Sequence, residues 1–145
     1  MNGTENPDGI EILAPSDCWR LLRAATVGRV AVVRDGVPEI YPVNHVVDHG
    51  TVVYRTGPGA LFEATLHQDV AFEVDGFDDA VAWSVVLHGR ATESSRITDL
   101  IDSFALPLAP WQSGPKPRFV RIEPSGVSGR RFPRVQHDAL TQASS

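Results

Sequence analysis

Apolar residues recur at two different spacings along this chain, and the change of spacing divides it into a helix and a series of strands. Between residues 14 and 25 the apolar positions fall three or four residues apart, which predicts an amphipathic helix. Its apolar face consists of Cys18, Leu21, Leu22 and Ala25. Ser16 or Asp17 is expected to cap the first turn, and Gly28 to follow the last.

From Val27 onward, apolar and β-branched residues come in short runs that are typical of strands. The predicted strands span residues 30–33, 40–47, 51–56, 70–74, 83–92, 118–122 and 127–132. Asp35-Gly36 and Asp48-His49-Gly50 are predicted to close two hairpins, and Pro124-Ser125-Gly126 a third. Pro42 cannot donate to a strand ladder, so it indicates a sheet edge or a bulge.

Further helices are predicted over residues 60–67 and 95–104, the second capped by Ser94 or Ser95. Loops 75–80 and 106–117 connect the remaining elements. Because tight turns join most consecutive strands, the sheet should be antiparallel. The sequence therefore predicts an α+β fold with six or seven antiparallel strands and two or three short helices. Closure into a small barrel would remove the open sheet edges.

The composition fits one globular domain, since 42% of the 145 residues are hydrophobic and 21% are charged. Residues 1–12 are expected to form a flexible arm, residues 13–132 the domain, and residues 133–145 a disordered tail. The single Cys18 cannot form an internal disulfide, which favours a cytoplasmic location. A net charge of −5 argues against nucleic-acid binding, and no apolar run approaches the roughly 20 residues of a membrane span.

The turn after the third strand, Thr56-Gly57-Pro58-Gly59-Ala60, is a candidate phosphate site. A strand that ends in a glycine turn before a helix directs backbone N–H groups at one spot, and such a spot suits an anion. Thr56 would add a hydroxyl, Gly59 a closely approaching N–H group, and Arg55 a positive charge. A plain strand-to-helix connection also explains the glycines, so the turn alone leaves both interpretations open.

Three other positions are candidates for contact with a flat ligand. The amide of Asn44 can both donate to and accept from the polar edge of a ring system. Trp83 can form a wall beside such a ring, and Ser84 can bond its carbonyl or ring nitrogen. The same three positions are also explained without a ligand. Asn44 would then be a polar residue on an outward strand face, Trp83 a core or interface residue, and Ser84 a solvated serine.

The sequence carries none of the usual signatures of a metal site or an activated nucleophile. A predicted turn separates His45 from His49, and no further His or Cys lies at ligand spacing. Cys18 is expected to be a buried structural thiol, and the aspartate-rich loop 75–80 lacks the spacing of a calcium loop. We therefore assign no metal site and no catalytic residue.

The order of these segments resembles the pyridoxamine 5′-phosphate oxidase-like family of flavin-binding split barrels. The resemblance runs from Pro15 to Phe132 and rests on the blocks VGRVAVVRDGVPEIYPVNHVV, YRTGPG, VAFEVDGFD, WSVVLHGRA and FVRIEPSGVSGRRF. It is nearest to the short branch that includes nitroimidazole-resistance proteins. It implies a split β-barrel homodimer that binds flavin mononucleotide (FMN) at the dimer interface, with both chains contributing, and that oxidises or reduces a small molecule.

The resemblance also implies which positions contact the cofactor. Residues 43–46 match the strand that lines the flavin ring, residues 55–61 match the phosphate loop, and residues 83–84 match the strand start on the other side of the ring. The implied contacts are Val43, Asn44, His45, Val46, Arg55, Thr56, Gly59, Ala60, Leu61, Trp83, Ser84, Trp111 and Arg130.

The chain departs from the family pattern at two of these positions. Ala60 and Leu61 stand where the family usually has a small hydroxyl or basic residue followed by a lysine. Loss of one charged hydrogen bond costs on the order of 1.5–3 kcal/mol. Two alternatives to an FMN oxidoreductase therefore remain. One is a deazaflavin-dependent reductase, and the other is a non-catalytic split barrel that binds flavin or haem.

Overall fold

A computed structural model describes residues 9–56, 59–94 and 118–134 of the chain. These residues form seven strands and two helices, in agreement with the predicted α+β class. In chain order the elements are β1 (Glu11–Ile12), α1 (Pro15–Ala24), β2 (Val27–Arg34), β3 (Val37–Asp48), β4 (Thr51–Thr56), α2 (Ala60–Thr65), β5 (Asp69–Phe77), β6 (Val81–Glu93) and β7 (Arg118–Pro133). The predicted helix 95–104 and loop 106–117 lie outside the described residues.

The sheet closes into a six-stranded antiparallel barrel. Its strand order is β1-β7-β4-β3-β2-β5-β6, and β6 also pairs with β7. The closed circuit therefore consists of β2 to β7, while β1 adds two residues to the outer edge of β7 through Glu11 and Ile12. Every pairing is antiparallel, as the succession of tight turns predicted. Closure leaves few backbone groups without a partner strand.

The predicted turns at Asp35-Gly36 and Asp48-His49-Gly50 are both confirmed, the second without Asp48, which belongs to β3. Asp35 and Gly36 join β2 to β3 with φ angles of 51° and 79°, and His49 and Gly50 join β3 to β4 with φ angles of 51° and 73°. Positive φ at both central positions twists a turn in the same sense as the strands that it connects. Aspartate and glycine tolerate this conformation well.

The predicted third hairpin is wrong, because β7 runs without a turn from Arg118 to Pro133. The pairing with β6 shifts its register between His88 and Gly89, where Gly126 and Pro124 are the partners. Ser125 is thus the extra residue of a bulge, and its hydroxyl donates to the His88 carbonyl oxygen at 3.2 Å. The residues that form turns also occur in bulges, because a turn and a bulge each interrupt the strand ladder locally.

The predicted cap of α1 is also wrong. Ala14 is the N-cap residue and makes no side-chain cap, while Pro15 occupies the first turn, a position whose N–H group would have no helical partner in any case. Gly28 does not end the helix. It lies within β2, where a Cβ atom would come within 2.2 Å of the Phe72 ring. The predicted loop 75–80 is shorter than expected, because β5 continues to Phe77.

The barrel interior is filled by inward-facing strand residues and closed at one end by α1. Tyr54, Phe72 and Leu87 are fully buried there, together with Leu22 and Cys18 from α1. Cys18 is therefore the buried thiol that the sequence predicted. Neither helix in the described part of the chain is long and apolar enough to span a membrane.

Candidate functional site

The neighbouring strands β3 and β4 separate at one end, and this opening is the main candidate site. The two strands pair only from His45 to Asp48, although β3 begins at Val37. Over residues 37–44 the described partner of β3 is β2 alone. Pro42 lies in this stretch, as its inability to donate to a ladder predicted. We call the opening between residues 43–44 on one side and residues 55, 56 and 59 on the other the β3–β4 split.

The far side of the split is formed by the end of β4 and the start of α2. Thr56 is buried, and Arg55 is half-buried. Gly59 has a φ of 130°, and no atom of the described residues outside its chain neighbours lies within 4 Å of the place that its Cβ atom would occupy. That conformation favours glycine, and the free space allows a ligand to approach the backbone closely. The structure thus brings the predicted ring-lining strand and the described part of the phosphate loop to one place.

A buried hydrogen-bond chain fixes the position of α2 beside the split. The Tyr54 hydroxyl donates to the Thr65 hydroxyl oxygen at 2.7 Å, and the Thr65 hydroxyl donates to the Leu61 carbonyl oxygen at 3.0 Å. Burial raises the pKa of Tyr54 to about 12, so its hydroxyl remains protonated. Leu61 itself packs against the hydrophobic core. The position at which the family pattern has a lysine therefore serves packing in this chain.

His45 links the ring-lining strand to α1 through an interior contact. Its Nε2–H group donates to the Leu22 carbonyl oxygen at 2.9 Å, and its ring meets the Phe72 ring edge-on with centroids 4.8 Å apart. Nδ1 is buried and has no hydrogen-bond partner among the described residues. Desolvation by burial lowers the pKa of His45, so the ring is neutral at physiological pH. His45 therefore holds β3 in position from the barrel interior, through its contacts with Leu22 and Phe72.

The buried ring of His45 is expected to make the fold sensitive to acid. Its pKa is below the ordinary 6.5 in the folded protein, so the unfolded chain takes up this proton first as the pH falls. The contribution of His45 to stability is fully present above about pH 6.5 and declines below it, toward the lowered pKa. Denaturant unfolding at about pH 7.5 and about pH 5.5 measures how much free energy of unfolding is lost on acidification. The wild type should lose more than His45→Gln, in which residue 45 cannot titrate. Equal losses in the two proteins would contradict this.

The remaining predicted contacts lie elsewhere on the barrel. Ser84 on β6 pairs with Arg130 on β7, and both face outward, whereas the neighbouring Trp83 packs against the core. Ser84 is three strands from Asn44, roughly 14 Å along the sheet. Arg55 pairs with Phe119 on β7. Arg130 lies eleven residues further along β7, which is roughly 36 Å from Phe119. One chain therefore does not bring all the predicted contacts together, and Trp111 lies outside the described residues.

An apolar stripe on the outer barrel surface was missed in the sequence. Ile40 and Val33 are 67% and 62% exposed, and the small residues Ala31 and Ala71 continue the row that begins at Ile40. Shallow cavities of about 310 and 300 Å³ open along these residues. The sequence signal was the run of apolar residues at the outward positions 31, 33, 38, 40 and 42, which indicates a surface that is covered on both faces.

A charged cluster borders the apolar stripe. The Arg29 guanidinium contacts a Glu73 carboxylate oxygen at 2.8 Å and an Asp75 oxygen at 3.2 Å. Desolvation, reinforced by the neighbouring Asp75, raises the pKa of Glu73 above its ordinary value. No group of three or more His, Cys, Asp or Glu side chains among the described residues is placed to hold a metal ion.

Comparison with known proteins gives consistent matches over most of the chain. The family model described as pyridoxamine 5′-phosphate oxidase matches residues 14–131. An uncharacterised protein of Mycobacterium tuberculosis is 35% identical over 124 residues, which are 80% of this chain and 81% of that protein. Two of the similar solved structures have more than 30% sequence identity to this chain. They are the FAD binding protein from Mycobacterium smegmatis (33% identity, TM-score 0.69) and a conserved protein of unknown function from Corynebacterium diphtheriae (38% identity, TM-score 0.67), each covering 85% of this chain and 98% of its own.

Proposed function

The chain belongs to the pyridoxamine 5′-phosphate oxidase family, and from this premise we propose that it is a flavin-binding oxidoreductase that acts as a homodimer. The observation that carries the proposal is the β3–β4 split, in which a strand edge without a second described partner faces Arg55, Thr56 and Gly59. The M. smegmatis protein, a 33% identical FAD binding protein, supports a flavin as the class of cofactor.

The residues of the split fit the two ends of a flavin. The exposed side-chain amide of Asn44 offers donors and an acceptor for the polar edge of the ring. At the other end, Arg55 supplies a positive charge and Gly59 leaves the space that a phosphate needs. A bound flavin would carry the electron-transfer chemistry, while these residues bind it and set its orientation.

A second copy of the chain would complete this site and cover the apolar stripe. Ser84 and Arg130 are too far from the split to touch the same ligand within one chain, but a two-fold partner can bring its own pair to the split. Large contiguous apolar surfaces are rare on soluble monomers, and Val33 and Ile40 lie exposed beside Ala31 and Ala71 on the same face. Both observations are explained if the stripe is the dimer interface.

FMN is the first candidate among flavin-type cofactors, and a deazaflavin is the second. The packing of Leu61 against the core favours a further possibility, a split barrel that binds flavin or haem without catalysis, because the usual lysine of the phosphate loop is missing. Purified protein should be yellow, and apo-protein should bind FMN at tens of micromolar or below. If it binds a deazaflavin and no FMN, the second candidate replaces the first, and if it binds neither, the oxidoreductase proposal is wrong.

Replacing Arg55 by glutamine is expected to weaken FMN binding about ten- to hundredfold. The change removes one charge-assisted hydrogen bond to the phosphate, a bond worth roughly 1.5–3 kcal/mol. Calorimetric titration with FMN and with riboflavin, which has no phosphate, would locate the effect, because riboflavin affinity should be unchanged. Arg20→Gln on the exposed face of α1 is the charge-matched control. An equal loss for FMN and riboflavin would mean that Arg55 does not contact the phosphate.

The substrate of the proposed enzyme is a small molecule that reaches the flavin through the same split. We propose a cytoplasmic location, since the lone thiol of Cys18 is buried and needs no oxidising compartment. Fractionation of cells that produce the protein, followed by detection with an antibody, would test this location.

A further inference from the structure

Strand β3 has an open edge over residues 37–44, which we call the β3 edge. β2 pairs with all of these residues, whereas β4 pairs with β3 only from His45 onward. No further strand in the described part of the chain pairs with the β3 edge. An edge of this kind presents N–H and C=O groups to which a strand of another molecule can bond.

One hydrogen bond shows which residues of β3 point to the β3 edge. The His45 N–H group donates to the Thr26 carbonyl oxygen at 3.1 Å, so it points to the side of β2. In an antiparallel strand, the N–H and C=O groups of successive residues point to opposite edges. Residues 39, 41 and 43 therefore point to β2, and residues 38, 40, 42 and 44 point to the β3 edge. Both prolines of β3, Pro38 and Pro42, belong to the second set, and the register with β2 runs unbroken past them.

The two prolines remove half of the donors from the β3 edge, because proline has no N–H group. Ile40 and Asn44 keep theirs. If a second copy of the chain paired antiparallel with this edge about Ile40, residue 38 of one copy would oppose residue 42 of the other. Each opposed pair that faces across such an edge normally exchanges two hydrogen bonds. The pair of Ile40 residues could form both bonds, but the pairs of prolines could form none.

The rest of the β3 edge has the composition of a strand that pairs readily. Val37, Ile40, Tyr41 and Val43 have high strand propensity, and Val37 and Ile40 are exposed. Glu39 is the only charged residue of this edge, and its carboxylate accepts a hydrogen bond from the Tyr41 hydroxyl at 2.8 Å. Segments of about six or seven residues with high strand propensity, low net charge and no proline are prone to aggregate. The prolines are thus what distinguishes residues 37–43 from such a segment.

We infer that Pro38 and Pro42 prevent a second copy of the chain from adding a strand to the β3 edge. An added strand would also occupy the β3–β4 split, since residues 43–44 belong to both, so the prolines keep the split open. Backbone groups form this edge, whereas outward side chains form the apolar stripe. Pairing at the edge alone would give a closed pair of chains. Together with the proposed dimer it would give an open-ended assembly, because two different two-fold contacts on one chain do not close.

The double variant Pro38→Thr/Pro42→Thr tests the inference, because it restores both N–H groups and adds residues of high strand propensity. Sedimentation velocity at roughly 50 µM should show particles of about twice the wild-type mass or more. Pro38→Lys/Pro42→Lys is the matched control. It loses the same proline rings and regains the same N–H groups, but lysine on an edge strand opposes pairing. Its particles should not exceed the wild-type mass.

Amide hydrogen exchange tests the open edge without any substitution. In the wild type, the Ile40 amide should exchange about tenfold or more faster than the amides of Tyr41 and Val43, which point to β2. In the assembled threonine variant the Ile40 amide should become protected. Continued slow exchange at Tyr41 and Val43 would show that the variant is folded.

Three results would overturn the inference. Equal protection of Ile40 and Tyr41 in the wild type would show that the edge is covered. A folded threonine variant of wild-type mass would show that the prolines do not prevent pairing. Assembly of the lysine variant to the same extent would attribute it to the lost proline rings. If the double threonine variant does not fold, Pro38→Thr alone takes its place and should also assemble, since it restores one N–H group per copy. No cofactor enters these measurements, so the flavin proposal is judged separately.

Discussion

Replacing Ile40 by arginine is expected to convert the proposed dimer into a monomer and to lower the flavin affinity of the protein by about a hundredfold or more. Ile40 is 67% exposed on the outer face of β3, and a two-fold interface would bury two copies of it. Burial of each side chain contributes about 1.5–3 kcal/mol, and an unpaired guanidinium in its place would add a desolvation cost. Flavin binding should fall with dimerisation, because Ser84 and Arg130 would no longer reach the split.

Val37→Arg is the matched control for this substitution. Val37 is 57% exposed on the same hairpin, but its side chain points to the opposite face from that of Ile40. Sedimentation velocity at micromolar concentration should show Val37→Arg with the wild-type mass and Ile40→Arg with half of it. A circular dichroism melt would establish that both variants are folded. If the wild type sediments as a monomer, or if Ile40→Arg remains dimeric, the apolar stripe is not the interface.

Replacing Gly89 by alanine is expected to destabilise the fold by about 1–3 kcal/mol or more. A Cβ atom at Gly89 would come within 2.3 Å of the Glu123 carbonyl oxygen and within 2.7 Å of the Ile122 side chain. The carbonyl belongs to the backbone of β7 beside the bulge, so it cannot move aside without disturbing the ladder. The strain would fall at the place where β6 and β7 change register.

Gly126 provides the control for Gly89, because it lies in the same bulge and pairs with His88. Within the described part of the chain no atom lies within 4 Å of the place that its Cβ atom would occupy, and its φ is outside the left-handed region. Gly126→Ala should therefore be neutral, or stabilising by a few tenths of a kcal/mol through the lower entropy of the unfolded chain. Urea unfolding curves of the three proteins would measure both changes. Similar midpoints for Gly89→Ala and Gly126→Ala would show that the close contact relaxes at no cost.

The hydrophobic pattern and the turn residues determined the class of fold. The Asp35-Gly36 turn and the alternation in β2 to β6 act over a few residues, and they were enough to predict an antiparallel sheet with short helices. The same local signals failed at Pro124-Ser125-Gly126, because a hairpin turn and a bulge use the same residue types. Whether a turn or a bulge is formed here depends on pairing with β6, a strand more than thirty residues earlier in the chain.

The candidate site was predicted only in pieces. The glycine turn after Thr56 and the strand of Asn44 were recognised separately, and the register of His45 with Tyr54 brings them together. The roles of His45 and Leu61 required the fold, since burial against Leu22 and against the core cannot be read from their neighbours in sequence. Distant partners determine these contacts, and local propensity carries no information about them.

The sequence by itself determined the strands, the two-residue turns and the order of the segments, because these depend on interactions between residues close in the chain. Only the tertiary structure decided that β7 closes the barrel, that β3 and β4 separate beside Gly59, and that Phe77, Ala82 and Phe132 form one row. The physical reason is strand register. A shift of one residue would turn each of these side chains to the opposite face, and the packing of the whole barrel interior fixes the register.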